Sequence, residues 1–241
     1  MIEWHAGVSD RVSRLLTAHP YWWLLALCAI SWVYLVADNL ISTVYLHHHA
    51  SSPVSGLVAW MIMVSAMMLP MLSGSVRHII LMMPRYQHLR LMPLLVLGYA
   101  SVWLIIGGLI ETFGYILRSH PIFSHQTLSQ IPIGTFGFLS AAIWTMTRSR
   151  RKAVFACSNG VPMRINGWYA YRDTIHFGMI KGISCSAACL PVMLALLVSG
   201  HNLGLMMIVT AVLIYERVML PRETRLVFWM CYILALYHLV P

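Results

Sequence analysis

Charged residues are scarce in this sequence. Asp, Glu, Lys and Arg make up 10% of its 241 residues and 59% are hydrophobic, whereas a soluble domain carries about 25% charged residues. That leaves no room for a separate soluble domain and marks most of the chain as membrane. Acidic residues are fewer still, 7 against 16 Lys and Arg. The net charge of +9 does not point to nucleic acid, because the basic residues sit in short stretches between apolar segments. It suits loops facing anionic lipid. The five cysteines, Cys28, Cys157, Cys185, Cys189 and Cys231, are scattered. None falls in an exposed outer loop of the topology below, so no disulfide framework is expected. Internal repeats and low-complexity tracts are missing. So are a Gly-rich phosphate loop, a Ser-His-Asp arrangement in a credible setting and a two-carboxylate hydrolase site. No nucleotide cofactor and no enzymatic activity are expected. Bis-His haem needs two histidines facing each other deep in a bundle. The histidines here fall near span ends or in loops, so haem is not expected either.

The apolar runs that remain predict an all-α, polytopic membrane helix bundle of about seven transmembrane helices. The spans are placed at 21–46, 55–73, 91–117, 134–148, 174–198, 202–220 and 226–240. Residues 1–20 form a cytoplasmic amphipathic lead with Arg11 and Arg14. No small-residue cleavage site follows, so this is not read as a cleavable signal peptide. Residues 21–241 form a single transmembrane domain, entered through the interfacial run His19-Pro20-Tyr21-Trp22-Trp23. With the N-terminus in the cytoplasm, the inner regions hold Arg11, Arg14, Arg77, Arg85, Arg90, Arg217, Arg222 and Arg225. They also hold the six basic residues of 148–173, whereas the outer regions hold Arg118 alone. This asymmetry follows the positive-inside rule and fits a multi-pass protein of a bacterial cytoplasmic (inner) membrane, with lipid as its first partner.

Sulfur is the chemistry this chain has in quantity: 17 Met besides the cysteines. Cys185, Cys189 and Met193 recur at i, i+4 and i+8 in the fifth span, and so share one helix face. Met63, Met67 and Met71 repeat the pattern in the second span, with Met68 beside them. Two thiols and thioethers in a low-dielectric setting suit Cu(I) above other ions. The plainer reading is packing, since Cys and Met are ordinary apolar residues in buried helices. Pro70 and Pro191 each remove a backbone donor and free a carbonyl one turn back, at Ala66 and Ala187. Broken helices of this kind recur at intramembrane ion sites. On the outer side, His47, His48 and His49 form a run that either binds Cu(II), Zn or Ni or caps a helix end.

Ionisable residues within spans are costly and are functional candidates. Asp38 and Glu111 lie at similar depth in the outer halves of the first and third spans, where they could share a site or flank one path inward. Glu216 with Arg217 reads as an interfacial ion pair. The glycines Gly107-Gly108 and Gly178-x-x-x-Gly182 read as close helix packing.

Three blocks give the chain a resemblance to the bacterial family known as predicted metal-binding integral membrane proteins. Trp60-Met61-x-Met63-x-x-Ala66-Met67-Met68-Leu69-Pro70 is close to that family's Trp-x-x-Met-x-x-Ala-Met-Met-x-Pro. The basic stretch ending in Cys157 and Pro162 resembles its Lys-x-x-Cys-x-x-Cys-Arg segment. Gly182, Cys185, Cys189, Met193, Asn202, Glu216 and Arg217 follow its Cys-x-x-x-Cys-x-x-x-Met block and the residues after it. The chain departs at Val154, Ala187, Leu190 and His201, the first of which leaves Cys157 without a second cysteine. The resemblance implies metal binding. Together with the sulfur pattern it gives a copper-handling protein, in transport, delivery or insertion into a partner such as a copper-dependent enzyme. Cys157 would receive the ion inside. The alternative is a non-catalytic accessory subunit held among other membrane subunits, such as those of a copper-dependent monooxygenase or a respiratory complex.

Overall fold

The computed structural model describes residues 22–44, 53–119, 133–160, 162–164, 167–200, 202–218 and 225–237. Among the described residues the chain is helical and has no strand. The order is α1 (Trp22–Val44), α2 (Pro53–Met68), a 3-10 turn (Leu69–Leu72), α3 (Ser73–Met82) and α4 (Arg85–Ser119). It continues with α5 (Ile133–Met146), α6 (Arg148–Ser158), α7 (Trp168–Val198), α8 (Leu203–Val218) and α9 (Leu226–Tyr237).

The all-α expectation holds, but the seven spans do not all meet it. Among the described residues, four apolar stretches are long enough to cross a membrane: Trp22–Leu40, Val54–Met82, Tyr86–Ile116 and Trp168–Val198. The expected fourth, sixth and seventh spans correspond to α5, α8 and α9, of 14, 16 and 12 residues. At about 1.5 Å per residue none reaches the ~30 Å of a hydrocarbon core. α5 ends close to where the fourth span was expected to end, and for a local reason. The hydroxyl of Thr147 accepts from the backbone N–H of Arg150 at 3.3 Å and caps a new helix, α6. The lead over residues 1–20 lies outside the described residues.

α4 and α7 pack most closely, and glycine is the reason. A Cβ on Gly98 would strike the carbonyl of Ile175, and one on Gly178 the carbonyl of Leu95. One on Gly182 would stand 2.9 Å from Cβ of Val102. Gly107 seats the indole of Trp60, whereas Gly108 faces open space. So the packing reading of these glycines holds for Gly107, Gly178 and Gly182 but not for Gly108. α1 lies on α2 and the 3-10 turn, α5 on α7 and α9, and α6 on α7.

Both proline-freed carbonyls have found donors. Pro70 turns the end of α2 into the 3-10 segment, and the Ala66 carbonyl accepts from Cys28 Sγ at 3.2 Å and Trp32 Nε1 at 3.0 Å. The Ala187 carbonyl, one turn before Pro191, accepts from Trp144 Nε1 at 2.9 Å. These breaks fasten α1 to α2 and α5 to α7, so that the sulfur-bearing segments are held by named hydrogen bonds as well as by apolar packing.

Candidate metal centre

Cys185 is where the elements meet. It is fully buried on α7, with Cys189 one turn on and Met193 a turn further, both buried. Met68, at the end of α2, brings its Sδ to 3.9 Å from Cys185 Sγ. Tyr99 of α4 donates its hydroxyl to the same Sγ at 3.2 Å. The thiols of Cys189 and of Cys157, on α6, lie near enough to Cys185 to interact with it electrostatically. Three thiols therefore form a line, Cys157–Cys185–Cys189, with a thioether and a phenol at its middle. Met63 and Met67 of α2 are buried in the same core. Among the described residues no three His, Cys, Asp or Glu side chains form a ready metal-binding group. A copper ion here would use two thiols completed by methionine sulfur, or would draw the third thiol in.

Charge surrounds the inner end of this line. Lys181, only 1% exposed, donates to the carbonyls of Ala156 and Cys157 at 2.9 and 2.8 Å and to that of Asn159. Arg217 of α8 donates to the Val154 carbonyl at 3.3 Å and interacts electrostatically with the Cys157 thiol. The two cations thus cap the C-terminal carbonyls of α6, where the helix dipole is negative. Arg150, 5% exposed, grips Glu216 with two bonds of 3.0 and 2.6 Å and donates Nε to the Ala188 carbonyl at 3.3 Å. The ion pair expected between Glu216 and Arg217 is not formed. Adjacent helical residues point about 100° apart, and each finds its partner on α6 instead. The interaction with Cys185 and burial push the Cys157 thiol above its ordinary value, while Arg217 and Lys181 pull the other way.

A family model described as PpoB2, copper chaperone, matches residues 57–240. The chain belongs to that copper chaperone family. No curated protein and no solved structure matches it. The copper connection agrees with the metal binding that the sequence resemblance implies, and the donor set around Cys185 fits a copper chaperone's cargo. Thiol and thioether sulfur suit Cu(I), and the line contains no carboxylate or imidazole.

The other expected site residues lie apart from the thiols. Asp38 is on α1 and Glu111 on α4, the two helices that flank α2. The Glu111 carboxyl packs on Gly56, where an added Cβ would stand 2.6 Å from the carboxyl carbon. His47, His48 and His49 lie outside the described residues. A cavity of about 380 Å³ opens beside the first turns of α7, lined by Met163, Arg164, Asp173, His176 and Phe177 among others. The ring of Phe177 in turn faces Lys181 at 5.1 Å. Four residues of the centre escape a reading from sequence. Tyr99 carries no signal in an apolar span, and Arg150 is one of six basic residues in its stretch. Arg217 is assigned there to its neighbour. Lys181 does have a signal, since an ionisable group inside a span is a functional candidate.

Proposed function

We propose that the protein is a copper carrier of the bacterial cytoplasmic membrane. It holds Cu(I) on sulfur within the helix bundle and hands it to a copper-dependent partner protein, without catalysing a reaction. The observation that carries this is the convergence of Cys157, Cys189 and Met68 on Cys185. Residues from three separate elements place soft donors at one buried point, which packing alone does not require. Cys185, Cys189 and Met68 are the primary ligands, with Met63, Met67 and Met193 as the thioether surroundings. Cys157, the least buried of the three thiols, is the hand-over ligand. Copper moves along the line by ligand substitution: a thiolate binds as another leaves, and each thiol that becomes a ligand gives up its proton.

In this reading the chain crosses seven times, the short helices α5, α8 and α9 being accommodated by local thinning of the bilayer, with residues 1–20 and α6 on the cytoplasmic side. The one-sided distribution of Lys and Arg supports that orientation. His47, His48 and His49 would then collect metal on the outer face, with Asp38 and Glu111 along the way inward. The test is elemental analysis of the full chain purified in mild detergent. About one copper per chain is expected, lost in the Cys185→Ser/Cys189→Ser variant. Unchanged copper content in that variant would sink the sulfur site.

A further inference from the structure

Lys181 and Arg217 are a poor fit to a purely apolar core. Neither has an acidic partner among the described residues. Of the described carboxylates toward this end of the bundle, Glu216 is held by Arg150 and Asp173 by Arg164. Lys181 is buried and Arg217 half-buried, and such cations are costly when nothing of opposite sign faces them. The α6 carbonyls supply part of that charge through their dipole. The remaining groups at hand are thiols: Lys181 holds the carbonyl of Cys157 at 2.8 Å, and Arg217 holds the carbonyl of Val154, one turn before Cys157 on the same helix, at 3.3 Å. The sulfur ligands themselves can supply the rest. Cu(I) on two thiolates carries one negative charge, and on three it carries two. A divalent ion on the same ligands carries one negative charge fewer. Whether two thiolates bind or three, the monovalent complex lies one charge closer to neutrality beside these two cations.

We propose that Lys181 and Arg217 are fixed counter-ions of an anionic Cu(I)–thiolate centre, and that they make the site prefer a monovalent soft ion over a divalent one. This rests on the sulfur-site reading above. It gives a chemical reason why this chaperone would not fill with zinc, which also takes thiolate ligands. Arg150 has no such role, because Glu216 neutralises it.

The test uses the full chain in mild detergent. Cu(I) and Zn(II) affinities are measured by competition with chelating dyes for the parent, Arg217→Gln, Lys181→Gln and Arg217→Lys. X-ray absorption at the copper edge reports sulfur coordination. Removing one fixed charge should lower the ratio of Cu(I) to Zn(II) affinity on the order of a hundredfold, as for unit charges about 6 Å apart at an effective dielectric of about 20. Arg217→Lys, which keeps the charge, should stay near the parent. A parental ratio in both Gln variants, with copper still on sulfur, overturns the counter-ion role and leaves the sulfur site standing. Copper retained by Cys185→Ser/Cys189→Ser overturns the sulfur site itself. The ratio also separates loss of charge from local collapse, which would weaken both metals together.

Discussion

Arg150 and Glu216, 66 residues apart in sequence, form a two-pronged ion pair between α6 and α8 with contacts of 3.0 and 2.6 Å. Their side chains are 6% and 13% exposed. Losing one partner of such a pair strands a buried charge and costs about 3–5 kcal/mol, whereas replacing both with apolar residues costs far less. Glu216→Gln and Arg150→Met should each lower the unfolding midpoint in detergent markedly. The double variant Arg150→Met/Glu216→Met should recover most of the loss. Additive losses would show that the two residues are not energetically coupled.

A similar rescue tests the break at Pro191. Trp144→Phe leaves the Ala187 carbonyl without its donor and should cost about 1–3 kcal/mol. Pro191→Ala restores a backbone N–H at the position that would serve that carbonyl in an unbroken helix. The pair Trp144→Phe/Pro191→Ala should therefore be more stable than Trp144→Phe alone. Thermal melts of the two variants decide it.

The glycines of α4 and α7 should divide sharply. Gly178→Ala drives a methyl group into the Leu95 carbonyl. Overpacking of this kind costs about 1–3 kcal/mol, and backbone yields less readily than side chain. Gly108→Ala meets nothing within 4 Å and should be neutral or stabilising by up to ~1 kcal/mol, through helix propensity. Equal melting points for the two variants would contradict the packing described.

Copper binding should release protons. The Cys157 thiol is held above its ordinary value by its interaction with Cys185 and by burial, so it is protonated at neutral pH. Metal and proton compete for it, and apparent Cu(I) affinity should rise with pH. Each thiol that ionises on binding adds about tenfold per pH unit. If Cys157 is a ligand, Cys157→Ser should reduce that slope by one proton. The same slope in parent and variant would remove Cys157 from the binding set.

Much of this could be read from the residues because helical spacing is local. The recurrence of Cys185, Cys189 and Met193 places them on one face, and Pro70 and Pro191 announce the freed carbonyls of Ala66 and Ala187. The partners of those carbonyls could not be read, since Trp32 and Trp144 reach them across tertiary contacts. The arrival of Cys157 at Cys185 was equally hidden. It depends on Thr147 starting a new helix, α6, in what reads as a connecting stretch, and on Lys181 and Arg217 drawing the end of that helix inward. Glu216 and Arg217 misled because neighbours in sequence face different ways on a helix.

α6 buries only Arg150 and Val154, and hydrogen bonds of Arg150, Lys181 and Arg217 tie it to the rest of the protein. α7, by contrast, is sunk in apolar contacts and in the close approach to α4. The two halves of the thiol line thus belong to units of unequal local stability, the one fastened by a few polar bonds able to open while the other stays folded. An ion bound across Cys157 and Cys185 would act as a reversible cross-link between them, and its departure would loosen α6 at the moment a partner needs to reach the thiols.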